Sequence, residues 1–252
     1  MLTILMRAVS FQVSTALLCV VASQGADLQF DAGEKDDRPP PWKLSTGWYN
    51  FSNDTSAADF NLRYTGKSVG NLWLGYYLPD PHGPDQYRAG WDSQFDLGVG
   101  RIMPSIQIAS GYFLGGSFGV ETGKSWFVGA GYGRTNLRPY VNLNFDPNDS
   151  YTINVGHRWG DGASASLLWV QDVRLHPDEK HLHFMFRTPL PKGRRITLDV
   201  LLKTGLVEDT HIYRLGASFT YDWPRFFVRL AFDPVANFGN EDMLRFTLGT
   251  RF

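Results

Sequence analysis

Met243-Leu-Arg-Phe-Thr-Leu-Gly-Thr-Arg-Phe252, the last ten residues of the chain, alternate in character. Leu244, Phe246, Leu248 and Phe252 share one parity, and Arg245, Thr247, Gly249 and Arg251 the other. Successive side chains of an extended strand point to opposite faces, so this segment has one greasy face and one charged face. The same rule sets Val228, Leu230 and Phe232 against Arg229 and Asp233, and Ile196, Leu198, Val200 and Leu202 against Arg195, Thr197, Asp199 and Lys203. It also sets Leu182, Phe184 and Phe186 against His181, His183 and Arg187. From Trp42 onward such segments follow one another, bounded by Gly, Pro, Asn or Asp, and none has the apolar period of a helix.

Aromatic residues make up 15% of the 252 positions and 26 glycines accompany them, a pairing typical of many short strands joined by tight turns. The segments count to about fourteen strands of roughly ten residues. Twelve is the alternative, because Ser105–Glu121 and Trp42–Tyr77 divide in more than one way. Strand would then occupy well over half of the chain, far above its share in ordinary globular domains. A closed membrane-spanning barrel requires that share, since hydrocarbon offers no hydrogen bonds to an open sheet edge. The expected fold is therefore all-β, a closed antiparallel up-and-down transmembrane β-barrel. A mean hydropathy of −0.24 excludes a helical membrane protein.

A soluble sandwich shows the same alternation, and three features argue against it. Arg and Asp stand at mid-strand on the polar face, as beside a water-filled or salt-bridged lumen. Trp42, Trp126, Trp159 and Trp223 lie near strand ends, where interfacial aromatics belong. The connections also alternate in sign. Asn53–Thr55, Asp80–Asp85, Asp146–Asp149, Pro177–Glu179, Glu208-Asp209 and Asn237–Asp242 are nearly all acidic. The intervening Gly66–Ser68, Arg101–Pro104, Arg134–Arg138, Pro189–Arg195 and Trp223–Arg225 are basic, with Gly160-Asp161-Gly162 the exception. An up-and-down topology puts alternate connections on opposite rims. The connections read as short on both, which predicts no long constricting loop.

Residues 1–26 have an early Arg7, the mostly apolar run Ala8–Ser23 and then small residues, the layout of a secretory signal peptide. Cys19, the only cysteine, lies inside it, so the mature chain has no disulfide to hold it. Residues 27–41, ending in Pro39-Pro40-Pro41, read as a flexible polar leader, and residues 42–252 as the barrel.

The terminal Phe246-Thr-Leu-Gly-Thr-Arg-Phe252 resembles the last strand of bacterial outer-membrane β-barrel proteins, which ends in Phe with apolar residues at every second position before it. The resemblance implies a Gram-negative outer-membrane location, a surround of outer-membrane lipid, and recognition of Phe246, Leu248 and Phe252 by the barrel-assembly machinery. With the terminus in the periplasm, the basic turns are periplasmic and the acidic loops extracellular. Motifs of the barrel enzymes that act on lipid do not map onto the chain.

Parity assigns a lumen-facing set: Arg63, Arg88, Arg158, Arg174, Arg187, Arg195, Lys203, Arg214, Arg229, Arg245 and Arg251, with Asp92, Asp96, Asp172, Asp199, Asp222 and Asp233. Eleven cations against six acids would favour anions beside water, or would pair across and plug a narrow barrel. Ser164 and Ser166 share this face with His181, His183, Asp172 and Asp199, a set suited to acyl transfer only if a serine and a histidine meet. His176, His181 and His183, with Asp178 and Glu179, could supply metal ligands, but nothing in their spacing fixes a tetrahedral geometry, and no metal or other cofactor is assigned. Gly129-Ala-Gly131-Tyr-Gly133 lies within a strand and is no phosphate loop. The chain thus reads as a non-enzymatic passive channel for small polar or anionic solutes, with no nucleic-acid partner. The competing readings are a non-conducting scaffold and a lipid-modifying enzyme.

Overall fold

The computed structural model describes residues 40–80, 83–143 and 146–252. The signal segment and nearly all of the leader lie outside the described residues. The chain forms β1 (Trp42–Phe51), β2 (Ser56–Gly66), β3 (Gly70–Asp80), β4 (Gln86–Asp92), β5 (Phe95–Asp96), β6 (Gly100–Ala109), β7 (Phe113–Gly123) and β8 (Trp126–Thr135). There follow β9 (Ser150–Arg158), β10 (Ser164–Asp172), β11 (Lys180–Leu190), β12 (Arg194–Val207), β13 (Thr210–Asp222), β14 (Phe226–Asp233) and β15 (Met243–Arg251). β4 and β5 both pair with β6 and make one interrupted stave, so the barrel has fourteen staves.

Every pairing is antiparallel and between neighbours in sequence, except the one that closes the cylinder. There β1 pairs with β15 from Lys43↔Arg251 to Phe51↔Met243. The division of Trp42–Tyr77 into parts of three strands, and of Ser105–Glu121 into two, excludes the twelve-strand alternative. Among the described residues every stave has a neighbour on both sides, as a sheet in hydrocarbon requires.

The core is inverted relative to a soluble protein. Leu74, Leu215, Leu230, Leu248 and Phe246 are exposed on the outside, while Arg88, Asp92, Glu121, Lys203 and Arg251 are buried inside. Small residues make room for this interior. A Cβ at Gly249 would stand 1.9 Å from the inward Phe227 ring. One at Gly129 would stand 2.1 Å from the Asn154 side chain, which accounts for the glycine-rich stretch of β8.

Aromatic pairs ring both ends. Trp42 packs on Tyr64, and Tyr221 on Trp223, at one rim; Tyr76 packs on Tyr87, and Tyr132 on Tyr151, at the other. The start of β1, the end of β15, Lys67, Lys124, Lys192 and Arg225 lie at the first rim, hereafter the basic rim. Glu208, Asp209, Glu241 and Asp242 lie in connections at the opposite, acidic rim.

Two of the five expected basic connections belong elsewhere. Arg101–Pro104 lies within β6, and Arg134–Arg138 runs from the end of β8 into the same acidic-rim connection as Asp146–Asp149. The strand implied between them does not form. Its alternating residues 139–143 turn into the barrel, with Tyr140, Asn142 and Leu143 buried. A long inward loop therefore replaces the expected short one, because apolar and amide side chains here find partners inside the cylinder rather than in a sheet ladder.

Candidate functional site: the charged lumen and its inward loop

Between β8 and β9, residues 140–143 and 146 reach into the lumen. Val141 exchanges two hydrogen bonds with the Gln86 side chain of β4, its N–H donating at 2.7 Å and its carbonyl accepting at 3.0 Å. Arg245 of β15 donates to the Leu143 carbonyl at 2.8 Å. Asp146 meets His181 and His183 of β11 at 2.9 and 2.8 Å. β4 and β11 stand six staves apart in a ring of fourteen, so the loop spans nearly the full width.

The connection between β14 and β15 folds in beside it. Val235, Ala236 and Phe238 are buried, and Asn142 and Asn237 exchange hydrogen bonds at 3.1 and 3.3 Å. Val235, a β-branched residue, is held at φ 49°, a conformation that such residues adopt only under constraint from their surroundings.

On the basic-rim side of this crossing lies a cavity of about 1910 Å³, whose lining runs from the basic-rim turns up to Leu168, Met185 and Asp199. Among the described residues nine cationic and six acidic side chains line it. The cations are Lys43, Lys67, Arg101, Lys124, Arg158, Arg187, Arg195, Arg229 and Arg251.

The ion pairs run along the wall. Arg101 and Arg158 share Glu121 at 2.6 and 2.7 Å. Arg195 and Arg251 share Asp222 at 3.3 and 2.6 Å. Arg63 approaches Asp92 at 3.9 Å, Arg88 pairs with Asp59, and Lys203 meets Asp233 at 2.5 Å. Each of these pairs joins staves at most two apart, so none bridges the opening.

The remaining parity-assigned residues scatter. Asp172 accepts the N–H groups of Arg174 and Leu175 and shapes a turn. Arg174 sits in the acidic-rim connection and donates to Asp149 at 3.1 Å. Arg214 is exposed, and Asp96 is exposed at the mouth of the cavity. Arg229 donates to the Thr220 hydroxyl.

The sequence reading did not assign Asp59, Arg101, Glu121, Asp146 or Asp149 to the lumen. Strand parity would have found Asp59 and Glu121, because they share a face with Arg63 and with the inward residues of β7. No local signal marks Asp146, since its loop carries the period of a strand.

Register separates the proposed nucleophile from its base. Leu168 and Val170 stand opposite His183 and His181, while Ser164 and Ser166 stand opposite Arg187 and Met185. Both histidines contact carboxylates instead. His176 stacks on Phe238 and, like Asp178, stays out of the cluster that gathers Asp146, His181 and His183. Burial works against ionisation of Asp146; with His183 and His181 protonated, their charge outweighs it and holds the carboxyl below the ordinary carboxylate range. Burial pushes the Tyr140 hydroxyl up, against the pull of Arg88.

The fold resembles that of solved bacterial outer-membrane β-barrel proteins. The structure of outer membrane protein Omp33 of Acinetobacter baumannii superposes with a TM-score of 0.56 at 11% identity, covering 85% of this chain and 99% of that one. The KdgM porin gives 0.47 at 9% identity, over 83% of this chain and 99% of its own. No protein-family model matches the chain, and no curated protein sequence matches it.

Proposed function

We propose that this protein is an outer-membrane channel that passes small anionic solutes from the acidic rim, past the inward loop, into the cationic vestibule. The observation that carries this reading is the placement of the ion pairs. Those of Arg101 with Glu121 and of Arg195 and Arg251 with Asp222 lie along the wall and leave about 1910 Å³ open beside a surplus of three cations. Such a surplus beside confined water concentrates anions. On this reading residues 1–26 direct export, the basic rim and the 27–41 leader face the periplasm, and Phe246, Leu248 and Phe252 present the terminal strand to the assembly machinery.

The experiment is reconstitution of the barrel into planar bilayers under a salt gradient. Discrete openings with an anion-selective reversal potential are expected. A correctly folded but silent barrel would instead favour a scaffold, the second reading, which the linking of two acidic-rim connections through Asn142 and Asn237 supports.

A further inference from the structure

Five side chains from three parts of the chain form one buried row. Glu179 Oε1 lies 3.0 Å from His181 Nε2, and His181 Nδ1 lies 2.9 Å from Asp146 Oδ1. The same oxygen lies 2.8 Å from His183 Nε2, and His183 Nδ1 lies 3.0 Å from Asp199 Oδ1. All five residues are less than one-tenth exposed. Each imidazole thus turns one nitrogen to Asp146 and the other to a carboxylate behind it.

A neutral imidazole donates through one nitrogen only. Where Asp199 receives the His183 Nδ1 proton, His183 Nε2 presents its lone pair toward the Asp146 carboxylate, and an acceptor there faces an acceptor. A cation at that point resolves the conflict. The Asp199 carboxylate backs His183 on its far nitrogen, the arrangement that orients metal-binding imidazoles, while His181 Nε2 lies 3.0 Å from Glu179 without a hydrogen bond. A second observation points the same way: Asp146 Oδ2 is buried without a hydrogen-bond partner. Ligand atoms of Asp146, His181 and His183 lie within 4.8 Å of one another, and a dication would offset three carboxylates crowded into the row. Two nitrogens and an oxygen suit zinc or a neighbouring transition metal, whereas calcium and magnesium prefer all-oxygen shells.

We propose that Asp146, His181 and His183 bind a divalent transition metal of the zinc type, with Glu179 and Asp199 as positioning residues, and that the ion fastens the inward loop to β11. Ligation at about 2.0–2.2 Å calls for the Asp146 carboxylate to rotate off the line between the two nitrogens. Asp199 also lines the vestibule, which gives the ion a route in from the basic rim. The consequence for conduction rests on the channel reading above; the binding itself does not.

The test uses the folded full chain in detergent and Zn²⁺ alone, titrated against a chromophoric chelator, with Co²⁺ absorption as a second readout. One Zn²⁺ per chain at micromolar affinity or tighter is expected, with visible Co²⁺ bands that Zn²⁺ abolishes. In variants that keep heat-modifiable mobility, His183→Gln and Asp146→Asn should each weaken binding at least about tenfold, and Asp199→Asn by about 10–100-fold. His176→Gln and His211→Gln should leave it unchanged. Absence of stoichiometric binding to the unmodified barrel would overturn the site and leave the row as protonated imidazoles held by ion pairs. So would binding that His176→Gln removes and His183→Gln spares. If the lumen variants fail to fold, the Co²⁺ spectrum of the unmodified chain decides alone. A barrel that binds Zn²⁺ but does not conduct removes the channel and keeps the site; one that conducts but binds no Zn²⁺ does the reverse.

Discussion

Lys203 shows what a charge costs inside this barrel. Its side chain is fully buried, with Nζ 2.5 Å from Asp233 and within 3.1 and 3.3 Å of the Pro234 and Val235 carbonyls. Removing one partner of such a pair strands the other without water, so Lys203→Met should lower stability by about 3–5 kcal/mol. The double variant Lys203→Met with Asp233→Leu should recover most of that loss, because the pair disappears with its desolvation cost. Urea unfolding in detergent measures both, and a double variant as unstable as the single one would count against the argument. Gly249 makes the complementary case. Its missing Cβ holds the Phe227 ring, and Gly249→Val should destabilise by about 1–3 kcal/mol through overpacking. Strand parity places both side chains from sequence alone. Their partners come from register, which parity does not supply.

The terminal strand and the inward loop are the two elements with the most to test. β15 closes the cylinder on β1 and turns Phe246, Leu248 and Phe252 to the outside. Phe252→Ser should reduce the amount of heat-modifiable barrel reaching the membrane, and unchanged levels would remove this residue from assembly. Replacing residues 139–147 by a short Gly-Ser turn should raise single-channel conductance several-fold, since Val141, Leu143 and Asp146 of that segment contact β4, β15 and β11 across the lumen. An unchanged conductance would place the constriction elsewhere, with the β14–β15 connection the next candidate. The strand was legible because its apolar parity is uninterrupted from Leu244 to Leu248. The loop was not, because Tyr140, Asn142 and Leu143 follow the same texture as the strands around them, and only the absence of a pairing partner tells the two apart.

At the scale of the whole molecule, charge is sorted along the barrel axis. The vestibule carries a surplus of cations, while the acidic rim and inward loop hold Asp146, Asp149, Glu208, Asp209, Glu241 and Asp242 beside Arg134, Arg138 and Arg174. A field of this shape pulls anions toward one end. Changing Arg195 and Arg229 to Asp should move the reversal potential toward cation preference, because both line the cavity; Arg214→Asp should not, since Arg214 lies outside that lining. A reversal potential that ignores the first pair would take the vestibule out of the conduction path.

The sequence by itself determined that this chain is a membrane barrel. Period-two alternation, interfacial aromatics and the sign of the connections each report one residue's relation to water or lipid, and those relations are local. Only the tertiary structure decided what the lumen contains. Which acid meets which arginine, that Ser164 and Ser166 stand opposite Arg187 and Met185 rather than a histidine, and that Asp146 joins His181 and His183 across 35 and 37 residues depend on stave number, register and the path of one loop. Those are properties of the closed cylinder, in which residues distant in sequence face each other because the first and last strands pair.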